Sequence, residues 1–545
     1  MRKVLLSILF FTLCPWQLQA ASGIRAVVVL PFENLSPRAD LNWISASFAE
    51  VLSSRLALPE NYVLDRDERN AAAVQLGIPI DTPLTLASEY KVAQTLGVDW
   101  AILGSFNLTG DRLTARAQLM DVHELSLSSP LEVSGSLTDL VDLQVRLAWR
   151  LLATHDRSFT VGNEDDFRRR FRDVRLDAFE NYIRGLLAAD DASRIHFFQE
   201  SDRLDPSDHR AAFALGKFYF EEKEYTKSAH WLAKIDASFP YYDEALFVRA
   251  VDAFFLGRES AAEKDFDALW SDLPLNEVAN NLGVLEYRRD HYDEALANFD
   301  RAYQSDPSDA DFCFNRGVAL SHQKRYQDAA KSLEEAERAN SDDSEAHTLR
   351  AFVLGRLGDT AAQRQEMEWL SAHDAGVDVA APEDVLPQPR IKKNYNGRAF
   401  RLLALTIHNA LEEHLATASP EEHAAAHMAL GKKYLAERRS AEAEREFSEA
   451  ASLTPSDPQA HLALAQAFEA ESRLQEARAE LDASLHLKNS VEARLALARV
   501  YLSLRQPVLA RQESQAALEL DPHNHEAERL LQQIPAGTGT ARKTP

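Results

Sequence analysis

Residues 281–307, NLGVLEYRRDHYDEALANFDRAYQSDP, contain two helical patterns separated by a short polar turn and closed by a proline. The arrangement recurs with an almost constant period. Its closing prolines, which stand 34, 34 and 33 residues apart, are Pro206, Pro240, Pro274 and Pro307. Proline ends a helix because it lacks the backbone N–H and clashes with the preceding turn. This period predicts stacked helix pairs, an all-α superhelix or α-solenoid, after residue 200.

Small residues occupy fixed places in each unit. Glycine lies in the middle of the first helix and alanine in the second, where a short side chain lets the two helices approach closely. The glycines are Gly216, Gly283, Gly317 and Gly431, and the alanines are Ala295, Ala329, Ala443, Ala477 and Ala510. Glycine inside a helix costs about 1 kcal/mol relative to alanine, so close packing must compensate for it.

These units resemble tetratricopeptide repeats (TPR). Units start near 175, 209, 243, 276, 310 and 344 in a first array over 175–373, and near 424, 458 and 491 in a second array over 424–534. The last stretch, HEAERLLQQI, is expected to be a capping helix. The first and last units of the first array are degenerate, which a solenoid end without a neighbour permits. Residues 535–545 are expected to form a disordered tail.

A proline-rich segment separates the two arrays. Pro382, Pro387 and Pro389 fall within eight residues of 374–398, and this composition predicts a linker or a long surface loop. A leading helix is expected over 399–423. The arrays would therefore form either two short solenoids or one interrupted superhelix.

Residues 24–155 follow another pattern, in which short apolar runs alternate with helical ones. IRAVVVLPF, residues 24–32, predicts a buried strand, and the next helical pattern places Ile44, Phe48, Val51 and Leu52 on one face. A hairpin is expected around Thr109-Gly110-Asp111. The pattern predicts an α/β domain with helices over a small mixed sheet, followed by a charged connecting segment over 156–174.

A family resemblance of this domain rests on three motifs: VVVLPFENLSP at 27–37, LGVDWAILGSFNLTGDRLTARAQLMDV at 96–122 and LTDLVDLQVRLAWRLL at 137–152. In order and spacing they resemble the TolB amino-terminal and FlgO-like domains, which often precede tetratricopeptide repeats. The family supplies no catalytic residue to transfer. Glu33 and Asn34 are therefore expected to start the first helix by capping and polar turn contacts.

The first twenty residues have the layout of a secretory signal peptide, with a basic start, an apolar run from Val4 to Leu13 and a small residue at Ala20. The chain is expected to be exported, periplasmic, and to start near Ala21 when mature. Cys14 offers an alternative, as the lipid attachment site of an outer-membrane lipoprotein, and only then would a membrane be bound. Removing residues 1–20 takes the formal charge from −25 to −27, which disfavours nucleic acid and anionic lipid as partners.

Few residues suggest chemistry. Cys313 is expected to be a small apolar core residue. His423 and His427 stand four apart on one helical face, with His408 and His414 nearby, but lack the intervening glutamate of hydrolytic zinc sites. The sequence therefore predicts no catalytic residue, metal or cofactor.

The repeat resemblance implies a concave groove lined by positions 2, 5, 9, 12 and 13 of the first helices. Aromatic residues there form a stripe suited to an extended peptide or an amphipathic helix: Phe213, Phe220, Phe247, Phe254, Tyr287 and Phe314. Phe255 is expected to pack between units. The second array carries Met428, Leu435, Leu462 and Leu495 instead. The lysines and asparagines with which chaperone-binding relatives clamp a terminal carboxylate are not expected in either groove.

The sequence thus predicts a non-enzymatic, exported scaffold that binds a protein partner in the bacterial cell envelope through its repeat groove and its TolB-like domain. Two alternatives stay open. One is an outer-membrane lipoprotein for envelope assembly, and the other is a metal-dependent sensor or enzyme that uses the α/β domain.

Overall fold

The computed structural model describes residues 24–534 apart from 79–83, 157–158, 160–162, 170, 172–173, 238, 374–386, 418 and 437–439. The predicted signal peptide, Cys14 and the tail over 535–545 lie outside the described residues. The chain divides into two compact units, the first ending at His408 and the second starting at Asn409, with Asp236–Ser238 grouped with the second.

A mixed sheet opens the first unit. Its strands are β1 Arg25–Val29, β2 Glu33–Asn34, β3 Asn61–Val63, β4 Trp100–Thr109, β5 Arg112–Asp121, β6 Ser126–Leu127 and β7 Leu131–Ser136. β1 lies between β3 and β4 and is parallel to both, whereas β5 pairs antiparallel with β4 and with β7. The accompanying helices are α1 Trp43–Leu56, α2 Arg66–Gln75, α3 Leu86–Leu96 and α4 Leu140–His155. The predicted α/β class with a small mixed sheet is confirmed.

Strand β1 is buried on both faces because helices cover both sides of the sheet. Val27 and Val29 belong to one apolar cluster with α1 and α4, while Val28 belongs to another with α2 and α3. The predicted apolar face of α1 is buried at Ile44, Phe48, Val51 and Leu52. The predicted hairpin is also confirmed, since β4 and β5 pair continuously and Gly110 turns between them with φ +62°.

The loop after β1 differs from its expected role. Glu33 and Asn34 form the short strand β2 beside β4, and α1 begins only at Trp43. Asn34 makes the polar turn contacts that were predicted, because its amide donates to the backbone oxygen of Arg38 and to Oδ1 of Asn42. Neither Glu33 nor Asn34 caps the helix, since strand pairing carries the chain past both of them.

Helix pairs fill the rest of the first unit, after a short helix α5 Glu164–Arg169 in the charged segment. The first helices of the pairs, the A helices, are α6 Leu176–Leu187, α8 His209–Glu221, α10 Tyr242–Phe255, α12 Asn276–Arg288, α14 Ala310–His322 and α16 Ser344–Leu357. The B helices are α7 Asp191–Leu204, α9 Tyr225–Leu232, α11 Glu259–Asp272, α13 Tyr292–Ser305, α15 Tyr326–Ala339 and α17 Thr360–His373. A Cβ on Gly283 would lie 2.7 Å from the ring of Phe299, so glycine allows the close approach of paired helices.

Cys313 lies in the apolar core of α14. The residue is fully buried, and its Sγ donates to the backbone oxygen of Pro307 at 3.4 Å. Burial raises the pKa of the thiol to about 12. The expected core role is confirmed, because a thiol with so high a pKa is a poor nucleophile.

The helix α18 Gly397–Thr417 crosses from the first unit into the second. The second unit then pairs the A helices α19 Pro420–Ala436, α21 Pro458–Ala470 and α23 Val491–Ser503 with the B helices α20 Ser440–Leu453, α22 Leu474–Leu487 and α24 Pro507–Leu520, and ends with α25 His525–Gln533. The leading helix expected over 399–423 stops earlier. Ser419 and Glu422 form reciprocal capping bonds that start a new helix at Pro420.

Residues 387–396 have no helix or strand, yet they are not the surface loop that the proline-rich composition predicted. Arg390, Lys392 and Tyr395 of this segment lie against A helices of the first array. Residues 374–386 of the predicted linker lie outside the described part of the chain. In the described ranges, no helix is both long enough and apolar enough to cross a membrane.

Candidate peptide-binding groove

One face of α10, α12, α14 and α16 holds residues 387–396 of the same chain. We call this face the first groove and the bound segment the strap. Arg390 of the strap contacts α14 and the residue before α16, Lys392 contacts α12 and α14, and Tyr395 contacts α10. The strap therefore runs antiparallel to the order of the repeats.

Two asparagine side chains hold the strap by its backbone. Asn315 on α14 donates to the carbonyl oxygen of Arg390 at 2.7 Å and accepts from its N–H at 2.6 Å. Asn281 on α12 makes the same pair of bonds with Lys392, at 2.9 and 2.7 Å. Because these bonds fall on alternate residues, they hold the strap extended between neighbouring helices. They bind the backbone of the strap and do not depend on its side chains.

These asparagines were not predicted, and they bind the backbone of a segment rather than the terminal carboxylate that chaperone-binding relatives clamp. A signal for them was present, since Asn281 and Asn315 stand 34 residues apart at the same place in successive A helices. Asn280 joins them by donating to the carbonyl oxygen of Arg390 at 3.1 Å and accepting from Asn315 at 2.8 Å. All three asparagines are fully buried, so this network fixes the orientation of each amide.

Carboxylates surround the basic side chains of the strap. An acidic residue stands near the start of four successive A helices, at Glu244, Glu277, Asp311 and Glu345. The guanidinium of Arg390 binds Asp343 through both terminal nitrogens, at 2.5 and 2.6 Å, and reaches Glu345 at 2.7 Å. The Nζ of Lys392 lies 2.7 Å from Asp309 and 2.9 Å from Asp311. The first groove is thus an acidic site for a basic segment.

The pKa shifts of Asp343, Arg390 and Lys392 each favour the charged form of the group. Burial acts to raise the pKa of Asp343, but the hydrogen bonds and charge of Arg390 outweigh it and lower this pKa overall. Burial likewise acts to lower the pKa of Arg390 and of Lys392, and the surrounding carboxylates raise both. Charge-assisted bonds of this kind are about twice as strong as bonds between neutral groups.

Two of the predicted groove aromatics contact the strap. The guanidinium of Arg390 lies 3.7 Å from the ring centroid of Phe314, within cation–π range. The ring of Phe247 meets Tyr395 edge-on, with centroids 5.0 Å apart, and the Tyr395 hydroxyl donates to Glu244 at 2.6 Å. Both phenylalanines are fully buried and form the apolar floor beneath the strap.

The other predicted aromatics pack mainly among helices. Phe213 stacks on Tyr241, Phe220 lies edge-on to Tyr225, Phe254 is covered by Arg288, and Tyr287 packs against Tyr292 and His322. Phe213 and Phe220 share an apolar cluster with Tyr395 of the strap. Phe255 stacks on Tyr225 of the preceding pair at 4.6 Å, while Lys393 lies 4.7 Å over its ring. The stripe is therefore partly core and partly covered by the strap.

The helix that follows the strap joins the array to the α/β domain within the first unit. Arg401 on α18 lies 2.9 Å from Asp65, 3.0 Å from Glu68 and 3.0 Å from Glu244. Asp65 and Glu68 are the reciprocal capping pair of α2, whereas Glu244 belongs to α10. Leu402 and Leu405 pack in the sheet cluster with α2 and α3, and other α18 residues pack against the array.

A buried cluster between α15, α16 and α17 has the composition of a metal site. Glu337, His347 and Glu366 offer ligand atoms within 4.8 Å of one another. The Nη1 of Arg350, however, lies 2.5 Å from Glu337 and 2.7 Å from Glu366. Burial raises the pKa of Glu337 to about 7 despite this cation. The arginine thus places positive charge against both carboxylates, where a metal ion would otherwise bind.

Part of this cluster recurs as a structural pair. His347–Glu366, His427–Glu446, His461–Glu480 and Arg494–Glu513 each join an A helix to its B helix across 19 residues, at 2.6 to 2.8 Å. Arg494 in the last pair shows that a positively charged side chain fits this position of the A helix. His427, a predicted metal candidate, is thus bound to Glu446, and His423 stacks on its ring. The side chains of His408 and His414 lie outside the described part.

A cavity of about 210 Å³ lies beside α1 and α4 of the α/β domain. Arg55 lines it, with its guanidinium 4.0 Å over the ring of Phe171, and burial lowers the pKa of this arginine to about 10. Asp142 pairs with Arg168 at its edge, at 3.0 Å. Arg55, Asp142 and Arg168 in the lining of this cavity are thus each engaged with a neighbouring side chain.

Comparison with known proteins identifies the repeats. The family described as Tetratricopeptide repeat matches residues 280–366 and 428–490. The curated relatives include the TPR repeat-containing thioredoxin TTL4 of Arabidopsis thaliana, 33% identical over 92 residues, 17% of this chain and 14% of that protein. The Inactive TPR repeat-containing thioredoxin TTL3 of the same plant is 34% identical over 91 residues, 17% and 13% of the two chains. This chain thus spans about one seventh of the length of these relatives.

Solved structures give similar but distant matches. A tetratricopeptide repeat protein from Parabacteroides merdae is 15% identical, with a TM-score of 0.23, over 54% of this chain and 98% of that one. The first TPR of Spaghetti (RPAP3) bound to the HSP90 peptide SRMEEVD is 22% identical, with a TM-score of 0.21. The match covers 21% of this chain and 91% of that one. The family match and the observed helix pairs together establish that this chain carries tetratricopeptide repeats.

Proposed function

We propose that this chain is a non-enzymatic, exported scaffold whose repeats bind protein partners in the bacterial cell envelope, with the TolB-like domain as a second binding surface. Tetratricopeptide repeats stack into extended surfaces that mediate protein–protein interactions. The observation that carries the proposal is the pairing of Asn281 and Asn315 with alternate backbone groups of an extended segment. A surface that binds one extended chain in this way has the geometry to bind others.

The charged groups of the first groove support binding rather than catalysis. Asp309, Asp311 and Asp343 are each paired with Arg390 or Lys392. A general acid or base needs a pKa near the working pH, and the lowered pKa of Asp343 moves away from it. These carboxylates are therefore suited to hold cations in place.

The second unit is the weaker candidate for a partner surface. Leu462 and Leu495, at its predicted groove positions, are buried in its own apolar core. Met428 and Leu435 are half-buried against the same core. Apolar side chains already covered by the fold contribute little further burial to a partner.

A crosslinking experiment in the native envelope tests the scaffold. A photoreactive amino acid replaces Phe255, which is 36% exposed beside the strap, and in a control it replaces Met367, which is 45% exposed on α17. We expect discrete partner proteins to crosslink at position 255 and to disappear when Asn281 and Asn315 are both changed to alanine. The same set of proteins from position 367, or none from either position, would contradict partner binding through the groove.

Export has a separate test at the mature N-terminus. Cell fractionation followed by mass spectrometry should find the chain beginning near Ala21 in the periplasm, as the signal-peptide pattern predicts. A lipid-modified Cys14 would favour the outer-membrane lipoprotein instead. An intact Met1 in the cytoplasm would contradict export.

The metal-dependent alternative rests on Glu337, His347 and Glu366, whose ligand atoms lie within 4.8 Å. Elemental analysis of the purified chain after dialysis against zinc separates the two functions. We expect no stoichiometric zinc, because Arg350 occupies the space between the two carboxylates. Stoichiometric zinc that Glu366→Gln removes would favour a metal-dependent sensor or enzyme.

A further inference from the structure

We infer that the first groove is a receptor for a basic, extended segment of a partner protein, and that the strap is an internal ligand competing for the same place. The inference rests on the proposed function and specifies the chemistry of its partner. It follows from three features of the strap contacts: their charge, their use of the backbone and their exposure.

Charge selects the class of partner. The strap, PQPRIKKNYN, has three basic residues and no acidic one. Around it the groove places Asp309, Asp311, Asp343, Glu345 and Glu244, and Glu277 lies beside the backbone of Asn396. Carboxylates outnumber the strap's cations, so an acidic peptide would meet like charge at every repeat.

The contacts also define a spacing. Arg390 lies between Phe314 and Asp343, Lys392 reaches Asp309 and Asp311 two residues later, and Tyr395 meets Phe247 and Glu244. The asparagine bonds at residues 390 and 392 fix the register without reading side chains. The preferred partner therefore has the pattern Arg-x-Lys-x-x-Tyr in an extended segment bound antiparallel to the repeats.

The contacts between the strap and the groove are mostly polar, and the side chains that make them are partly exposed to solvent. The side chains of Arg390 and Lys392 are 23% and 22% exposed, and the carboxylate of Glu345 is 58% exposed. Ile391 is only partly buried in the adjacent apolar cluster. A segment held in this way can be exchanged for another of the same chemistry. Because tethering gives the strap an effective concentration in the millimolar range, an outside peptide should bind the wild-type chain weakly.

Peptide titration tests the competition. A fluorescent peptide PQPRIKKNYN is titrated with the wild-type chain and with an Arg390→Ala/Lys392→Ala variant, whose strap is weakened while the groove stays intact. We expect the variant to bind at least about tenfold more tightly, because its internal competitor is weakened. Binding should weaken with added salt, and the charge-reversed peptide PQPEIEENYN should not bind.

Matched variants make the result specific. Lys331→Ala/Arg338→Ala removes the same charge from exposed positions on α15 and should leave peptide affinity at the wild-type value. Adding Asn281→Ala and Asn315→Ala to the strap-weakened chain should abolish binding. If the double strap variant fails to fold by circular dichroism, Lys392→Gln alone provides the same test with fewer contacts removed.

Three outcomes would overturn the inference. One is a folded, strap-weakened chain that binds the peptide no better than the control, and a second is equal binding of the charge-reversed peptide. The third is a wild-type dimer in which the strap crosslinks to the groove of another copy, because the occupant would then be a second copy of this chain. If envelope partners are still captured at position 255 in any of these cases, the scaffold proposal stands and only the chemistry of its ligand is wrong.

Discussion

A single amide side chain decides much of how the first groove holds the strap. Asn315 satisfies both the N–H and the C=O of Arg390 and receives its own orientation from Asn280. Buried backbone groups that lose such a partner cost free energy, because no water replaces the bond. The effect of changing this residue therefore exceeds what its small volume suggests.

Asn315→Ala should lower the free energy of unfolding of the first unit by about 1–3 kcal/mol, because the Arg390 N–H loses its partner and the Arg390 carbonyl oxygen keeps only its bond from Asn280. Chemical denaturation followed by circular dichroism measures the change. Asn107→Ala, at an exposed position on β4, is the control and should be close to neutral. Equal stability of the two variants would mean that water satisfies the Arg390 backbone without Asn315.

A buried carboxyl elsewhere in the array predicts a pH effect. Asp252 on α10 is fully buried, and burial raises its pKa to about 7 although the Ser228 hydroxyl acts to lower it. The unfolded pKa is about 4, so the folded chain binds the extra proton between pH 4 and 7, and stability falls as the pH rises through that range. Above pH 7 the folded chain holds a buried charge.

Asp252→Asn removes this charge without changing the size of the side chain. We expect the variant to melt roughly 1–3 °C above the wild type at pH 8 and at the same temperature at pH 4.5. Differential scanning fluorimetry at both pH values measures the difference. Asp342→Asn, at an exposed position, should show no such pH dependence, and a variant equally stabilised at both pH values would assign the effect to packing instead.

At the scale of the helices, the pairing of a histidine or arginine on an A helix with a glutamate on its B helix recurs along the chain. Burial acts to lower the pKa of His461, but its bonds to Glu480 and to the backbone oxygen of Pro455 outweigh this and raise the pKa. A histidine whose pKa is raised in the folded chain contributes its full stabilisation below its unfolded pKa of about 6.5. That contribution is lost as the pH rises through the pKa of the folded chain.

His461→Arg should remove this pH dependence, since Arg494 already makes the same pair with Glu513 in the next unit. The wild-type second unit should lose stability as the pH rises above about 6.5, and the variant should lose less. Thermal unfolding from pH 5.5 to 8.5 measures both. His523→Arg, at an exposed position, is the control, and identical pH profiles for all three chains would show that the pair contributes nothing.

The helix pairs could be predicted because their information is local and periodic. Most A helices carry a glycine and most B helices an alanine at a fixed spacing, and these positions pack as the period implies. The strap could not be predicted in the same way, because the asparagines that hold it lie 75 to 111 residues away in the chain. A proline-rich composition predicts that a segment forms no helix, but it does not predict whether the segment packs against another part of the chain.

The candidate site was predicted in part for the same reason. Phe247 and Phe314 stand at the groove positions that the repeat resemblance implies, and both touch the strap. Asn281 and Asn315 were not predicted, because the repeat resemblance implies a clamp for a terminal carboxylate, whereas they bind a chain in its middle. The acidic residues near the starts of four A helices and the basic residues after Pro387 were visible separately. Only the fold brings them together.

At the scale of the first unit, α18 forms a second junction between the α/β domain and the array, besides the one at α6. Phe179 and Ile183 of α6 lie in the apolar cluster of α1 and α4, whereas α18 contributes residues to the cluster of α2 and α3 and to a cluster of the array. Arg401 completes this junction, with three carboxylates around one guanidinium. Burial acts to lower the pKa of Arg401, and these carboxylates raise it overall. We therefore expect the α/β domain and the first array to unfold together.

Arg401→Ala should break that cooperativity. Removing one partner of a buried ion network costs about 3–5 kcal/mol, because the carboxylates of Glu244 and Glu68 are left without their cation. We expect calorimetry to resolve two transitions for the first unit where the wild type shows one, and Arg401→Lys to restore the single transition in part. Arg364→Ala, at an exposed position on α17, is the control. A single transition at the wild-type temperature in Arg401→Ala would mean that apolar contacts of α6 and α18 are enough to hold the α/β domain to the array.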